Sequence, residues 1–353
     1  MDILISSSIF ENPVDKRDFR YLLNQFDYLQ ERYRPFLEKM PDDEFMNNLE
    51  ATDRLLLTLA YNDFANTYQP IETTVEFNGE QYDAEKIFSI KEMIAYMVEP
   101  ISVMVENSLN DAYFLEALFQ NFDRSGRLSS FYKNHWLIFD NGGGASNMKN
   151  ALKAKLKQFG NKSKFLKTFI LIDGDRRYPS HKVEKYNDLI QFADQNGISY
   201  HILEKRCMEN YLPMDALPNQ YSTWQNAFAH LSEEQKDFIN IGGGFFEDLS
   251  VADRNKVLEL EKINTPQKKG RPKSNIRNLL PVEVQEFYQD VSEGNFIILE
   301  KGLKGHKFPN FKNSFPELFQ HYSVTKETLL DRTKHQQEKE ELQNITNTIL
   351  SLT

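Results

Sequence analysis

Acidic side chains follow four apolar segments of the chain, and their positions suggest chemistry at one edge of a sheet. They come in this order: Glu106 after the first segment, Asp140 after the second, Asp173 and Asp175 after the third, Glu204 and Glu209 after the fourth. Parallel strands place their carboxyl ends at one edge, so these acids should meet there. Crowded carboxylates are costly unless a cation neutralises them, and oxygen ligands suit Mg²⁺ or Mn²⁺ rather than zinc.

The most informative piece is the triplet Asp173-Gly174-Asp175, which comes directly after the apolar stretch TFILI. In an extended backbone, residues i and i+2 point the same way, and glycine allows a tight turn, so both carboxylates can reach one metal ion. The competing interpretation is an ordinary surface turn, since Asp and Gly are common turn residues. The preceding strand and the presence of Glu106 favour the metal pair.

The acids need a sheet to bring them together, and the middle of the chain has the pattern of one. The predicted strands are residues 101–105, 136–139, 168–172 and 199–203. Helix-like segments separate them, beginning near Ala112, at Ser146 as a cap, and near Lys182. Repeated βα units of this length predict an α/β domain with a mostly parallel sheet and flanking helices.

The segment before this sheet has a different character. Apolar residues recur at helical spacing in residues 1–95 and predict a mainly helical N-terminal region. Residues 72–82 are the exception, because an Asn-Gly pair between apolar residues predicts a β-hairpin.

The segment after the sheet is expected to be α-rich. It predicts helices, one strand at residues 295–299 and a charged helix from Thr325 onward. The glycines at 242–244 predict a flexible loop, and residues 265–275 predict a polar linker. The three predicted domains are therefore residues 1–95, 96–215 and 216–353.

Composition excludes several classes of protein. At 353 residues the chain exceeds a typical single domain, and with 40% hydrophobic and 27% charged residues it should fold rather than stay disordered. No apolar run approaches the roughly 20 residues of a membrane helix, and no signal peptide is recognisable. The single cysteine, Cys207, excludes an internal disulfide, and zinc spacing is lacking. We expect a cytoplasmic protein without a membrane partner.

Two basic segments stand out against the formal net charge of −10. Residues 149–167 contain seven lysines and no acid, and residues 268–277 hold a second cluster that includes KKGRPK. Local patches of this kind can hold phosphate on an acidic protein. The nucleic-acid-binding candidates are Lys149, Lys153, Lys157, Arg176 and Arg206. The alternatives are a solvated face for the lysines, an ion pair with Glu204 for Arg206, and a linker rather than a minor-groove hook for KKGRPK.

These residues resemble the motifs of a known family. Val105-Glu106 after a strand, followed by a helix and then ILIDGDR, is similar to the TOPRIM domain, whose signature is a glutamate after the first strand and Asp-x-Asp after the third. HILEKRCMENYLP resembles the fourth-strand motif of the overcoming-lysogenization-defect (OLD) family of TOPRIM nucleases, especially its stand-alone members in bacterial anti-phage defence. The resemblance covers residues 98–215, about a third of the chain, and implies a TOPRIM-like catalytic domain within 96–215.

The resemblance implies a role for each acid. Glu106 would be the first-strand acid, Asp173 and Asp175 the metal pair, and Glu209 the acid of the fourth-strand motif. Asp111 would be a further metal ligand, although it stands one position later than the acid that the family places four residues after its first glutamate.

The resemblance also implies a catalytic lysine further along the chain. Lys304, in LEKGLKGHKFP, is the candidate, with Lys301 and Lys307 as rivals. Two other positions depart from the family pattern: Asn107 stands where a glycine is usual, and Cys207 where a serine is common. The departure at Asn107 and the shift of Asp111 bear on the ligands of a second metal ion.

The implied function is hydrolysis of phosphodiester bonds in DNA or RNA, possible substrates including tRNA, with Mg²⁺ or Mn²⁺ as cofactor. The family further implies a toxic antiviral effector controlled by a separate ABC-type ATPase, since this chain has no Walker motif. One alternative is a TOPRIM-like module that binds nucleic acid or nucleotide without catalysis. Another is an interaction protein whose acidic edge is merely solvated. Whether the chain forms a homo-oligomer is left open.

Overall fold

The structure, a computed structural model, describes residues 1–12, 16–83, 85–263 and 276–353. The described part is an α/β protein with two four-stranded sheets, and all of their strand pairs are parallel. The α/β class predicted from the sequence is therefore confirmed, although only one sheet was expected. None of the described helices combines the length and the apolar character that a membrane span requires.

The first sheet belongs to the N-terminal region. Its strands are β1 (Asp2–Ile5), β2 (Arg34–Leu37), β3 (Thr73–Val75) and β4 (Ile87–Phe88). They lie in the order β2-β1-β3-β4. The helices of this region are α1 (Ser8–Glu11), α2 (Lys16–Tyr28), α3 (Asp43–Asn47), α4 (Ala51–Ala65) and α5 (Ile90–Val98).

Helices do predominate in the N-terminal region, but the sequence did not indicate its four-stranded sheet, and the predicted hairpin is wrong. The strands are two to four residues long, too short for a clear period of two, so the helical periodicity dominated the pattern. The predicted hairpin at 72–82 is instead a 3₁₀ turn, Gly79–Gln81, and β3 pairs with β4 in parallel. Gly79 allows a close approach there, because a Cβ would lie 2.0 Å from the carbonyl carbon of Phe88.

The second sheet carries the predicted site. Its strands are β5 (Ile101–Val105), β6 (Leu137–Asn141), β7 (Thr168–Ile172) and β8 (Ser199–Ile202). Their order is β6-β5-β7-β8. The intervening helices are α6 (Ser108–Phe122), α7 (Arg127–Lys133), α8 (Ala145–Gln158) and α9 (Asn187–Gln195). The prediction of a parallel sheet with strands at these places is confirmed.

Successive side chains of a strand point to opposite faces of the sheet, so each of the two central strands contributes side chains to two cores. Val103 of β5 and Phe169 of β7 are partners in the sheet and pack in the core that contains α6. The next pair, Met104 and Ile170, points to the other face and packs against the buried sides of α8 and α9. Helices therefore cover both faces of the sheet.

The strand order creates a crevice between β5 and β7. From β5 the chain continues to β6 on one side, then crosses back and continues with β7 on the other side. Open α/β sheets bind ligands at such a reversal, outside the carboxyl ends of the two strands. The residues that come directly after β5 and β7 are Glu106 and Asp173.

The described residues beyond 215 form helices and turns, and no strand occurs among them. The helices are α10 (Ser222–Ala229), α11 (Glu233–Phe238), α12 (Val251–Ile263), α13 (Val282–Phe287), α14 (Glu293–Leu299), α15 (Gly302–Gly305), α16 (Phe311–Ser314), α17 (Lys326–Thr333) and α18 (Glu341–Leu350). The linker predicted at 265–275 lies outside the described residues.

Two C-terminal predictions need correction. Residues 295–299, predicted as a strand, belong to α14: Ser292 caps this helix by accepting a hydrogen bond from the Asn295 amide at 3.3 Å. Phe296 and Leu299 are buried three residues apart, a spacing that suits a helix face. The charged helix predicted from Thr325 is two helices, α17 and α18.

One hydrophobic core joins the C-terminal helices to the second sheet. Buried side chains continue from Ile101 of β5 and Phe114 of α6 to Trp224, Phe245 and Ile349 in a single cluster. The C-terminal part therefore packs on the same face of the sheet as α6. This packing brings its loops to the carboxyl edge, opposite the acids.

Candidate active site

Acids from three places in the sequence meet at the carboxyl edge of the second sheet. Two adjoining cavities, of about 230 and 190 Å³, have Asp173 and Glu209 in common. The acids that line them, here called the acid cluster, are Glu106, Asp111, Asp173, Asp175 and Glu209. The sequence therefore identified residues that the fold does bring together. Asp140 and Glu204 do not line either cavity.

The Asp-Gly-Asp triplet places two carboxylates in one cavity, but through a geometry that differs from the expected one. Asp175 has a positive φ of 51°, so the turn occurs there and not at the glycine. Gly174 is needed for a close approach, since a Cβ would lie 2.2 Å from the carbonyl oxygen of Lys205. The Asp173 carboxylate accepts a hydrogen bond from the Met208 amide at 3.1 Å, which fixes its direction.

Burial raises the pKa of Asp173 well above the ordinary aspartate value, and the charges of the other four cluster members add to the effect. Burial also raises the pKa of Asp111 to about 7, with contributions from Glu209 and Glu106. The Asn107 amide donates to the Asp111 carboxylate at 2.9 Å and opposes this shift. The cluster thus favours protons or cations that reduce its negative charge.

Lys185 and Tyr186 bridge two members of the cluster. The Lys185 ammonium forms an ion pair with Asp175 and lies 3.8 Å from Oε1 of Glu106. The Tyr186 hydroxyl contacts the same two carboxylates and lies 2.9 Å from Oε1 of Glu106. A phenol has one proton, so it donates to only one of these oxygens at a time. The neighbouring ammonium offsets the repulsion at the other oxygen.

A 3₁₀ turn, Met208–Tyr211, carries Glu209, and the C-terminal part holds this turn from behind. Glu341 of α18 is fully buried. Its carboxylate accepts hydrogen bonds from the Tyr211 hydroxyl at 2.5 Å and from the Glu204 amide at 2.8 Å. The position of Glu209 therefore depends on a residue near the end of the described chain.

The C-terminal part also contributes lysines to the cavities. Lys304, the predicted lysine, lines the larger cavity, and its Nζ lies 3.6 Å from Oε1 of Glu247. Its rivals Lys301 and Lys307 line neither cavity. Lys312, which the sequence analysis did not identify, is exposed and lines both cavities.

The glycines at 242–244, predicted as a flexible loop, instead pack against the turn that carries Lys304. The Lys304 amide donates to the carbonyl oxygen of Gly242 at 3.0 Å, and the Leu303 amide donates to that of Ile241 at 2.9 Å. Gly242 itself lines the larger cavity. This segment therefore forms part of the wall that faces the acid cluster.

The two predicted arginines are engaged in contacts of their own. Arg206 lines the larger cavity, but it is buried, and its guanidinium pairs with Asp248 at 2.9 Å rather than with Glu204. Arg176 donates a hydrogen bond to the carbonyl oxygen of Glu204, and its guanidinium lies 5.3 Å from the ring centre of Phe238. Arg176 lines a separate cavity of about 440 Å³.

The lysine-rich segment 149–167 divides into two parts with different contacts. Four of its lysines connect to the chain before β5; they are Lys155, Lys162, Lys164 and Lys167. Lys164 is buried and pairs with Glu92 at 2.8 Å, and the buried Lys167 donates to the Tyr33 hydroxyl at 3.0 Å. These lysines join the two sheets and are not free to hold a phosphate backbone.

The other three lysines lie on α8 at intervals of four residues, and therefore on one face of it. Lys149 and Lys153 line a groove of about 410 Å³ between α8 and α9, which Lys185 also lines. Lys157 is exposed one turn further along. The KKGRPK stretch at 268–273 lies outside the described residues.

Three site residues were missed by the sequence analysis: Lys185, Tyr186 and Lys312. Lys185 and Tyr186 come ten and eleven residues after Asp175, on a 3₁₀ turn, Glu184–Tyr186, that precedes α9. Lys312 reaches the site from α16 because the C-terminal part folds over the sheet. No periodicity or motif marked these residues, since their proximity to the acids arises from loops.

The acid cluster suits Mg²⁺ or Mn²⁺ in its chemistry, because all of its side-chain donors are oxygens. In the described part of the chain, however, no three Asp, Glu, His or Cys side chains are arranged to hold a metal ion. Four of the five acids make other contacts instead. Backbone amides hold Asp173 and Asp111, while Lys185 and Tyr186 hold Glu106 and Asp175.

Comparisons with protein-family models, with curated proteins and with solved structures found no match to this chain. What bears on function is therefore the geometry of the site and the motifs themselves.

Proposed function

We propose that the protein is a metal-dependent nuclease of the TOPRIM type, similar to the OLD family, that hydrolyses phosphodiester bonds at the acid cluster. The observation that carries the proposal is the meeting of five carboxylates with Lys304 and Lys312 around two adjoining cavities. Carboxylates are the ligands that Mg²⁺ and Mn²⁺ prefer, and lysines attract phosphate. The metal-dependent hydrolysis proposed here uses both at one place.

Each member of the site has a role in this proposal. Asp173 and Asp175 would hold one Mg²⁺ or Mn²⁺ ion, Glu209 with Asp111 would hold a second, and Glu106 would bind an ion or accept a proton from the attacking water. Bound divalent ions would lower the pKa of water and stabilise the attacking and leaving oxygens.

The remaining steps belong to the side chains around the cluster. Tyr186 is buried, so its hydroxyl fixes the directions of the Glu106 and Asp175 carboxylates. Lys304 and Lys312 lie on the opposite wall, where they neutralise charge that develops on the phosphate oxygens.

The groove between α8 and α9 provides a path for the nucleic-acid backbone. Lys149 and Lys153 line it, and Lys185 lies both in this groove and against the acid cluster. Lys157 extends the same face by one helical turn. Contacts of this kind hold phosphates and carry no sequence information, so we propose binding without strong sequence preference.

The test is cleavage of plasmid, single-stranded DNA and total RNA, including tRNA, in Mg²⁺, Mn²⁺ or EDTA. Wild type is compared with Glu106→Ala and Asp173→Ala. The matched control is Asp140→Asn, since Asp140 lies at the same edge of the sheet but outside both cavities and accepts a hydrogen bond from the Ser102 hydroxyl. Metal-dependent cleavage that both alanine variants lose and the control keeps would support the proposal.

The biological role proposed is that of a cytoplasmic, toxic effector in anti-phage defence, controlled by a separate ABC-type ATPase. Its support is the motif resemblance together with the lack of a Walker motif in the sequence. Expression in bacteria with and without a co-expressed candidate ATPase tests it. Toxicity should require Glu106 and Asp173; equal toxicity of wild type and both variants would contradict the role.

A second candidate function is a TOPRIM-like module that binds nucleic acid or nucleotide without cleaving it. The arrangement of the acids favours it, since no three of the described potential ligands are placed to hold one metal ion. Titration with Mn²⁺ discriminates the two functions. Nucleic-acid binding without any Mn²⁺ binding would support the module and contradict the nuclease.

A further inference from the structure

The ammonium group of Lys185 lies where the proposed nuclease needs a divalent cation. It pairs with Asp175 and lies 3.8 Å from Oε1 of Glu106, so it faces two of the proposed metal ligands at once. An ammonium and a metal ion repel each other at such short range. We propose that Lys185 is a built-in competitor of the metal ion: it neutralises these two carboxylates in the metal-free protein and leaves them when a metal ion binds.

This inference rests on the proposed function, but the arrangement of the two neighbouring residues supports it independently. Tyr186 is 1% exposed and packs among Met104 and Ile170 in the core on the α8 and α9 side. The Lys185 side chain is 50% exposed. Of the two groups that bridge Glu106 and Asp175, one is therefore fixed and the other can move.

The structure also provides space for the displaced side chain. Lys185 lines the groove of about 410 Å³ between α8 and α9, next to the acid cluster. Rotation about the side-chain bonds of Lys185 moves the ammonium from the carboxylates into this groove, while the backbone stays in place. Tyr186 then continues to hold Glu106 and Asp175 towards each other.

The competition also explains why the described acids do not converge on a point. Glu106 and Asp175 are spaced to accept hydrogen bonds from an ammonium and a phenol. Bonds from carboxylate oxygens to a metal ion are shorter than such hydrogen bonds, so a metal ion requires a closer spacing. Removal of the ammonium leaves Asp175 and Glu106 without a counter-charge. The cluster should then bind a divalent cation more tightly than it does in wild type.

The experiment is a calorimetric titration of the full-length chain with Mn²⁺ in the absence of nucleic acid. The variants are Lys185→Met, which removes the charge, and Lys185→Arg, which keeps it. Lys182→Met is the matched control, because Lys182 is an exposed lysine of the same segment that forms no ion pair among the described residues. We expect Lys185→Met to bind Mn²⁺ about tenfold more tightly than wild type, and the other two variants to match wild type.

Thermal unfolding supplies a second readout that does not depend on activity. In EDTA, Lys185→Met should unfold at a lower temperature than wild type, because the carboxylates repel without their counter-charge. Saturating Mn²⁺ should raise the unfolding temperature of Lys185→Met by more than it raises that of wild type. A cooperative unfolding transition in EDTA also shows that the variant is folded.

The outcomes separate this inference from the proposed function. Mn²⁺ affinity that is equal in wild type and Lys185→Met, or weaker in the variant, overturns the competition and leaves the metal site in place. If neither wild type nor any variant binds Mn²⁺, both the competition and the proposed function are overturned. Tighter binding by Lys185→Met, with Lys185→Arg and Lys182→Met unchanged, establishes Lys185 as the competitor.

Discussion

The two sheets of this protein share one topology and differ in what lies at their carboxyl ends. Each places its first and third strands side by side at the centre, in the orders β2-β1-β3-β4 and β6-β5-β7-β8. The residues directly after β1 and β3 are Ser6 and Glu76, whereas those after β5 and β7 are Glu106 and Asp173. The same crevice therefore carries a hydroxyl and one acid in the first sheet, and two acids in the second.

The loops at the two crevices also behave differently. In the first sheet they bond to each other: the Ser6 amide donates to the Val75 carbonyl oxygen at 3.0 Å, and the Phe77 amide donates to the Ser8 hydroxyl at 3.2 Å. In the second sheet the corresponding loops carry Glu106 and Asp173, and burial raises the pKa of Asp173 well above the ordinary aspartate value. A shared fold thus carries bonded loops in one place and a cluster of acids in the other, because the chemistry of a site depends on the residues at the edge.

The strongest test of this comparison replaces topologically equivalent acids. Asp173→Asn should reduce metal-dependent cleavage by about 10³-fold or more, because it removes a proposed metal ligand. Glu76→Gln, at the same position after the third strand of the first sheet, should leave the rate unchanged. Initial rates in Mg²⁺ measure both. Equal losses in the two variants would contradict the assignment of the chemistry to the second sheet alone.

The next prediction concerns the lysines that join the sheets. Lys164→Met removes a buried ammonium that pairs with Glu92 and donates to the Ile87 carbonyl oxygen at 2.7 Å. It should lower the free energy of unfolding by about 3 kcal/mol, as measured by urea denaturation. Lys157→Met, in the same lysine-rich segment but exposed, should change it by less than about 0.5 kcal/mol. Similar values for both would refute the division of that segment.

The pH dependence of stability tests the acid cluster without any substrate. The pKa of Asp111 rises from 3.8 to about 7 on folding, so between these values the folded state holds a proton that the unfolded chain has released. Wild type therefore loses stability as the pH rises through this range. In EDTA, Asp111→Asn should gain about 2 kcal/mol relative to wild type between pH 5 and pH 8. A stability difference that is independent of pH would show that Asp111 is not crowded.

The smallest expected effect concerns nucleic-acid binding along α8. Lys157→Met should weaken duplex binding severalfold and lower the salt dependence, the slope of log K against log salt, by about 0.9. Lys86→Met, an exposed lysine beside β4 of the first sheet, should change neither quantity. Fluorescence anisotropy at several salt concentrations measures both. An unchanged slope for Lys157→Met would exclude this lysine from the binding face.

The sequence predicted the second sheet well because its central strands, β5 and β7, are fully buried runs of five residues with helices between them. It missed the first sheet because strands of two to four residues have no readable period. It also mistook residues 295–299 for a strand, since four apolar residues in a row suit a buried strand as well as a helix face.

The candidate site was predictable where it depends on chain order and unpredictable where it depends on packing. Glu106, Asp173 and Asp175 follow strands, so topology alone brings them together. Lys185 and Lys312 approach the acids from a 3₁₀ turn and from α16, and those positions depend on how loops and C-terminal helices pack. Local sequence carries no signal for such contacts.

The contact between Glu341 and the turn that carries Glu209 has a consequence for biosynthesis. Glu341 is separated from its partner Tyr211 by 130 residues, and a ribosome adds about 5 to 20 residues each second. A nascent chain that already contains every member of the acid cluster still lacks Glu341, which supports the turn that carries Glu209, for many seconds. Translation thereby delays complete support of the acid cluster until Glu341 has left the ribosome.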